Sequence, residues 1–119
     1  MFSQSTSSNS DRRCAPRVGI TLPVKVQFEN QVFSGKLIDL SPCGCALIGS
    51  QNLPLGSQPQ LHLSLPSEEG RVQLALETET VRCSKIGEMY LTGLNFADQR
   101  PWQNYQLMAF FHYHQRFTV

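Results

Sequence analysis

The sequence predicts a small antiparallel β-barrel of six strands with one C-terminal α-helix, and three observations carry that prediction. Apolar and polar residues alternate with period two in one segment after another as far as Phe96. Clusters of Gly, Pro, Asn, Asp and Ser separate these segments at short intervals. Beyond Phe96 the period becomes that of a helix. Closing six short strands on themselves removes exposed sheet edges, which favours a barrel over an open sheet.

The elements follow in order. Residues 1–10, rich in Ser with Gln and Asn, read as a disordered tail or linker, because they cannot bury enough apolar surface to offset the entropy of ordering. Residues 11–98 form the expected barrel, entered by an N-terminal arginine arm, and 99–119 the helix packed upon it. In the arm, Pro16 fixes its own φ and holds Ala15 extended, so the chain enters its first strand without a helix. From Val18 to Phe28, Ile20, Leu22, Val24, Val26 and Phe28 share one face. Pro23, which cannot donate to a ladder, marks an edge or a bulge. Glu29-Asn30-Gln31 turns the chain, and Val32 to Leu40 returns as the second strand. It ends at Ser41-Pro42-Cys43-Gly44, where Pro42 is set for a turn and Gly44 is able to take a φ that a Cβ would forbid.

Cys45 to Gly49 is the third strand and Leu53 to Gly56 a loop. Leu61, Leu63 and Leu65 define the fourth strand, followed by a turn over Pro66 to Gly70. The fifth runs from Val72 to about Arg82 and the sixth from Met89 to Phe96. Pro101 suits a first helical position, with Asp98 placed to favour the helix dipole. Trp102, Tyr105, Met108, Ala109 and His112 form one stripe, and Leu107, Phe110, Phe111 and Phe117 broaden it, so the helix is expected to be largely covered.

A length of 119 residues fits one domain that buries a core without metals or disulfides. The net charge of +1 argues against binding a nucleic acid polymer, which requires many cations. The basic charge is instead gathered in Arg12, Arg13 and Arg17, a cluster suited to a small anion. No apolar run approaches the roughly 18 to 20 residues of a membrane helix, and the Ser-rich N-terminus is not a secretory signal. The expected location is cytoplasmic, alone or as the cytosolic part of an inner-membrane protein, without direct membrane insertion of this stretch. Cys14, Cys43, Cys45 and Cys83 lack a Cys-x-x-Cys spacing and are expected as reduced thiols; no metal site and no cofactor is expected.

Two segments carry recognition chemistry. Arg13 and Arg17, four apart across a proline, present two planar forks that can grip a phosphate or the O6 and N7 edge of guanine. Asp39 offers acceptors for the N1 and N2 donors of the other guanine edge, Ser41 a hydroxyl, and Gly44 a bare backbone that a base can approach. A Ser-Pro turn is ordinary hairpin chemistry when it stands alone. Its combination with the arginine pair, one strand pair away, is far more specific.

Arg13-x-x-x-Arg17 followed by Asp39-x-Ser41-x-x-Gly44 resembles the two-part signature of the PilZ domain, and Gly93-Leu94-Asn95-Phe96 resembles that family's last-strand pattern. The resemblance covers about residues 11 to 98. It implies a six-stranded PilZ-type barrel that receives the bacterial second messenger cyclic di-GMP, with Arg13 and Arg17 on guanine and phosphate and Asp39, Ser41 and Gly44 on the second guanine. Arg12, the residue before the signature, would favour a stacked pair of ligands. A weaker resemblance is to the PilZ module of bacterial cellulose synthase, whose barrel likewise ends in an amphipathic helix. By that likeness the domain controls a glycosyltransferase lying outside this chain, reached directly or through a partner protein at the C-terminal helix. The chain itself is expected to be regulatory and not an enzyme.

The alternative is a barrel of the same fold acting as a protein-interaction adaptor through Trp102, Tyr105 and Phe111, without nucleotide binding. A barrel for single-stranded nucleic acid would need more basic and strand aromatic residues than this chain has. His62 reads as solvent-exposed, His112 and His114 as packing or surface residues, and Glu77 and Glu79 as solubility charges.

Overall fold

The computed structural model describes residues 18–67, 70–97 and 100–116, with side-chain surroundings as far as residue 112. Residues 1–17, Asp98 and Phe117 lie outside the described residues, as does the side chain of His114. Strand β1 (Val18–Phe28) follows the expected alternation. Val18, Val24 and Val26 are buried, and Ile20, Leu22 and Phe28 pack against the same core. Glu29 and Asn30, at φ of 53° and 66°, then make a primed two-residue turn whose hand matches the twist of the strands it joins. β2 (Gln31–Ser41) leads through Pro42 and Cys43 into β3 (Gly44–Gly49).

A loop with Leu53 buried beneath it reaches β4 (Gln60–Ser67), and β5 (Gly70–Ile86) and β6 (Met89–Phe96) complete the sheet. All neighbours are antiparallel, in the order β1-β2-β3-β6-β5-β4, and β1 bonds to β4 to close the barrel. The closing seam has only three residue pairs, Lys25 to Gln27 against Gln60 to His62. Pro23 lies past the end of that ladder, where its missing N–H removes no rung. His62, expected in solvent, is half-buried because it stands in this seam opposite Lys25.

Two expectations about β4 and β5 are corrected. Pro66 is not in a turn but pairs with Arg71 in the ladder. β5 continues to Ile86, because Cys83 to Ile86 pair with Thr92 to Met89 across a turn at Gly87, φ 63°. That end of the strand is mostly polar and exposed, so alternation does not mark it.

Helix α1 (Pro101–Arg116) starts as its proline suggests. The Arg100 N–H donates to Gln103 Oε1 at 3.2 Å, and Gln103 Nε2 donates to the Ala75 carbonyl at 2.8 Å, which fixes the helix rotation against β5. Leu107, Phe110 and Phe111 join the barrel core, the two rings edge to face at 5.5 Å. The expected stripe faces the other way: Trp102, Tyr105 and Met108 are 55%, 67% and 45% exposed, and His112 is exposed with them. A helix on a barrel end can bury only one face, and the wholly apolar set wins because Trp and Tyr carry polar atoms that burial would have to satisfy.

Candidate functional site

The site is built on a bulge. Between Leu37 and Asp39 the register of β2 against β3 shifts by one residue, so Leu37 and Leu40 both enter the core while Asp39 lies on the outer face. Asp39 stands opposite Gly19 on β1 and Ala46 on β3, and its Oδ1 is buried.

Ser41 is wholly buried. Its hydroxyl donates to the Gly44 carbonyl at 3.2 Å and accepts from the Cys43 N–H at 3.3 Å, bracing the turn from within. Gly44 is required for a reason the sequence does not show. Its φ is not positive, and a Cβ there would strike the carbonyl of Leu94 and come within 3.2 Å of the Asn95 Cα. The close approach of β6, and not a turn conformation, excludes a side chain. β6 is fastened to the turn as well, the Phe96 N–H donating to the Cys43 carbonyl at 2.7 Å.

Arg12, Arg13 and Arg17 lie outside the described residues. The residue that follows Arg17 is Val18, and Val18 pairs with Leu40, the residue between Asp39 and Ser41. The arm and the turn are therefore joined to the same end of the barrel.

The cysteines depart from expectation. Cys43 is disulfide-bonded, whereas Cys45 and Cys83 take part in no disulfide. Cys43 sits half-buried at the tip of the turn, where its sulfur can meet another segment, while Cys45 points into the core.

Register assembles a surface that no linear spacing announces. Gly19, Asp39, Ala46, Gly93 and Arg82 stand opposite one another in succession across β1, β2, β3, β6 and β5. A second bulge, at Val81, brings Arg82 onto this row. Its Nη2 and Nε lie 3.5 Å and 3.7 Å from where a Gly93 Cβ would be, so the guanidinium covers the glycine. The neighbouring row runs Ser41, Gly44, Asn95, Glu79. On that side of the turn is an open depression of about 310 Å³ bordered by Glu77, Glu79 and Asn95. Two carboxylates make it a poor seat for an anion.

A family model described as the PilZ domain matches residues 11–111, a span that contains the arm, the turn and every strand. The chain belongs to the PilZ domain family. Solved structures agree in fold. The Bacillus subtilis inhibitor of motility, MotI/DgrA, superposes with a TM-score of 0.72 at 21% identity, over 89% of this chain and 52% of its own. The present PilZ domain thus spans about half of that protein's length. The PilZ domain of YcgR from Escherichia coli, solved with c-di-GMP, gives 0.68 at 16% identity, covering 88% of this chain and 93% of that one. The PilZ domain of CeSA from a cellulose-synthesizing bacterium gives 0.61 at 18% identity, covering 84% and 99%. A search of curated protein sequences finds no match.

Proposed function

We propose that this PilZ domain is a cyclic di-GMP-binding regulatory domain, with Arg12, Arg13, Arg17, Asp39, Ser41 and Gly44 as its ligand site. The observation that carries the reading is the pairing of Val18 with Leu40, which joins the arginine arm to the strand end bearing Asp39 and Ser41. In this reading the arginines grip phosphate and guanine, Asp39 accepts from a guanine N1 and N2 edge, and Ser41 and Gly44 hold the turn in the shape that admits the base. The E. coli YcgR domain, which holds c-di-GMP in its structure, supports the ligand. The likeness to the CeSA domain supports, as the finer proposal, control of a cellulose synthase or similar glycosyltransferase.

Calorimetric titration with cyclic di-GMP tests the proposal. Saturable binding is expected, and Arg13→Ala and Arg17→Ala should each cost about 1.5 to 3 kcal/mol, the worth of a hydrogen bond to a charged group. Unchanged affinity in both variants refutes the assignment. A second reading, a protein-interaction adaptor, is favoured by the outward Trp102 and Tyr105, although Phe111, the third residue expected on that surface, is buried in the core. It expects no nucleotide binding and a partner lost on Trp102→Ala.

A further inference from the structure

We infer that Arg82 is a further ligand-binding residue, and that a guanine lies on the outer face over Ala46 and Gly93 with Asp39 at one edge and Arg82 at the other. The inference rests on the proposed receptor function but names residues outside the two-part signature. Its basis is the row of cross-strand partners, which places Asp39, Ala46, Gly93 and Arg82 on consecutive strands with their side chains on one face. The flanking residues Leu40, Cys45, Leu47, Thr92 and Leu94 are all buried inside, so the row between them faces outward.

Its two middle members are small, leaving a flat floor between two charged ends. Neighbouring strands are about 4.8 Å apart, so the floor separates Asp39 from Arg82 by about 14 Å of sheet. A carboxylate, a purine and an extended guanidinium, joined by two hydrogen-bonded contacts, fit that span. The chemistry of the ends also fits guanine in a single orientation. Asp39 accepts from N1–H and N2–H, and the arginine fork donates to O6 and N7. Adenine would turn its N6 donor toward the arginine, where an acceptor is needed.

Arg82 is available for this. It is exposed, it has no hydrogen-bond or ion-pair partner among the described residues, and its guanidinium already lies beside Gly93. A guanine arriving on the floor needs only to lift the fork from the glycine to its own edge.

The test compares wild-type protein, Arg82→Ala and Arg82→Lys, each titrated with cyclic di-GMP and with its 7-deaza analogue, in which a C–H replaces the N7 acceptor. Thermal unfolding should be unchanged in both variants, since Arg82 is exposed and braces nothing. Arg82→Ala is expected to weaken cyclic di-GMP binding by about tenfold, the usual worth of a bidentate arginine–guanine contact. Lysine should restore little, because a point charge cannot serve O6 and N7 together. The 7-deaza substitution should weaken binding to wild-type protein and leave Arg82→Ala nearly indifferent. Undiminished affinity in Arg82→Ala, full recovery with lysine, or an equal 7-deaza penalty in wild-type and Arg82→Ala overturns the inference while leaving the receptor function standing. Wild-type protein that binds no cyclic di-GMP overturns both.

Discussion

At the scale of single residues, the turn between β2 and β3 shows how one position can serve folding and recognition at once. Gly44 was legible in the sequence as a necessary glycine, but the necessity lies in the carbonyl of Leu94, far away in sequence, and only the strand pairing reveals it. Gly44→Ala is expected to destabilise the domain by about 1 to 3 kcal/mol, because strand backbone cannot step aside as a flexible side chain would. A lowered midpoint in urea unfolding checks this; an unchanged midpoint shows that β6 can yield. Asp39 and Ser41 were legible as a motif, yet the burial of Ser41 inside its own turn was not. Cys43 was misread as a reduced thiol because spacing alone does not tell a surface turn from a core strand. It should resist alkylation in the unfolded, unreduced protein, while Cys45 and Cys83 react. Peptide mass mapping with and without reductant distinguishes them.

Elements were read with uneven success, and the reasons are physical. Strands with one wet face announce themselves by alternation, as β1 and β4 do. The far end of β5 does not, since Ser84 and Lys85 lie beyond the core and meet water on both sides of the strand. Arg82 escaped notice for a related reason, because the bulge at Val81 puts it out of step with Glu77 and Glu79. The helix was recognised, but it was expected to be largely covered, whereas the barrel covers one face and leaves Trp102, Tyr105 and Met108 outside. Aromatic residues surround it, and periodicity does not say which of them the barrel will cover; the bond from Gln103 to Ala75 decides. Phe111→Ala should therefore cost about 3 to 5 kcal/mol, as a buried ring removed from a packed core. Trp102→Ala should stay within about 0.5 kcal/mol. Chemical denaturation of the two variants measures both; equal losses would mean that the outward face is not exposed.

For the whole molecule, barrel closure could be argued from the edges that six strands would otherwise expose, but strand order could not. The order β1-β2-β3-β6-β5-β4 follows from pairings far apart in sequence, and it alone sets Arg82 and Asp39 on one surface. The barrel is also unevenly closed. β6 pairs with β5 along its whole length, whereas β1 and β4 share three residue pairs, beside an open depression of about 340 Å³ bordered by Pro23, His62 and Ser64. Local opening should begin there, where the fewest rungs must break. Amide exchange at Lys25, Gln27 and His62 is expected to outpace that at Thr92 and Leu94, and the reverse order would place the weak point elsewhere.

The bond from the Phe96 amide to the Cys43 carbonyl has a mechanical consequence. It welds the tip of the second hairpin to the last link of the sheet, and five residues beyond that link the chain becomes helix. A displacement of the tip is accordingly felt at the carboxyl end of β6, the strand from which the chain goes on to the helix that carries the outward aromatic flank.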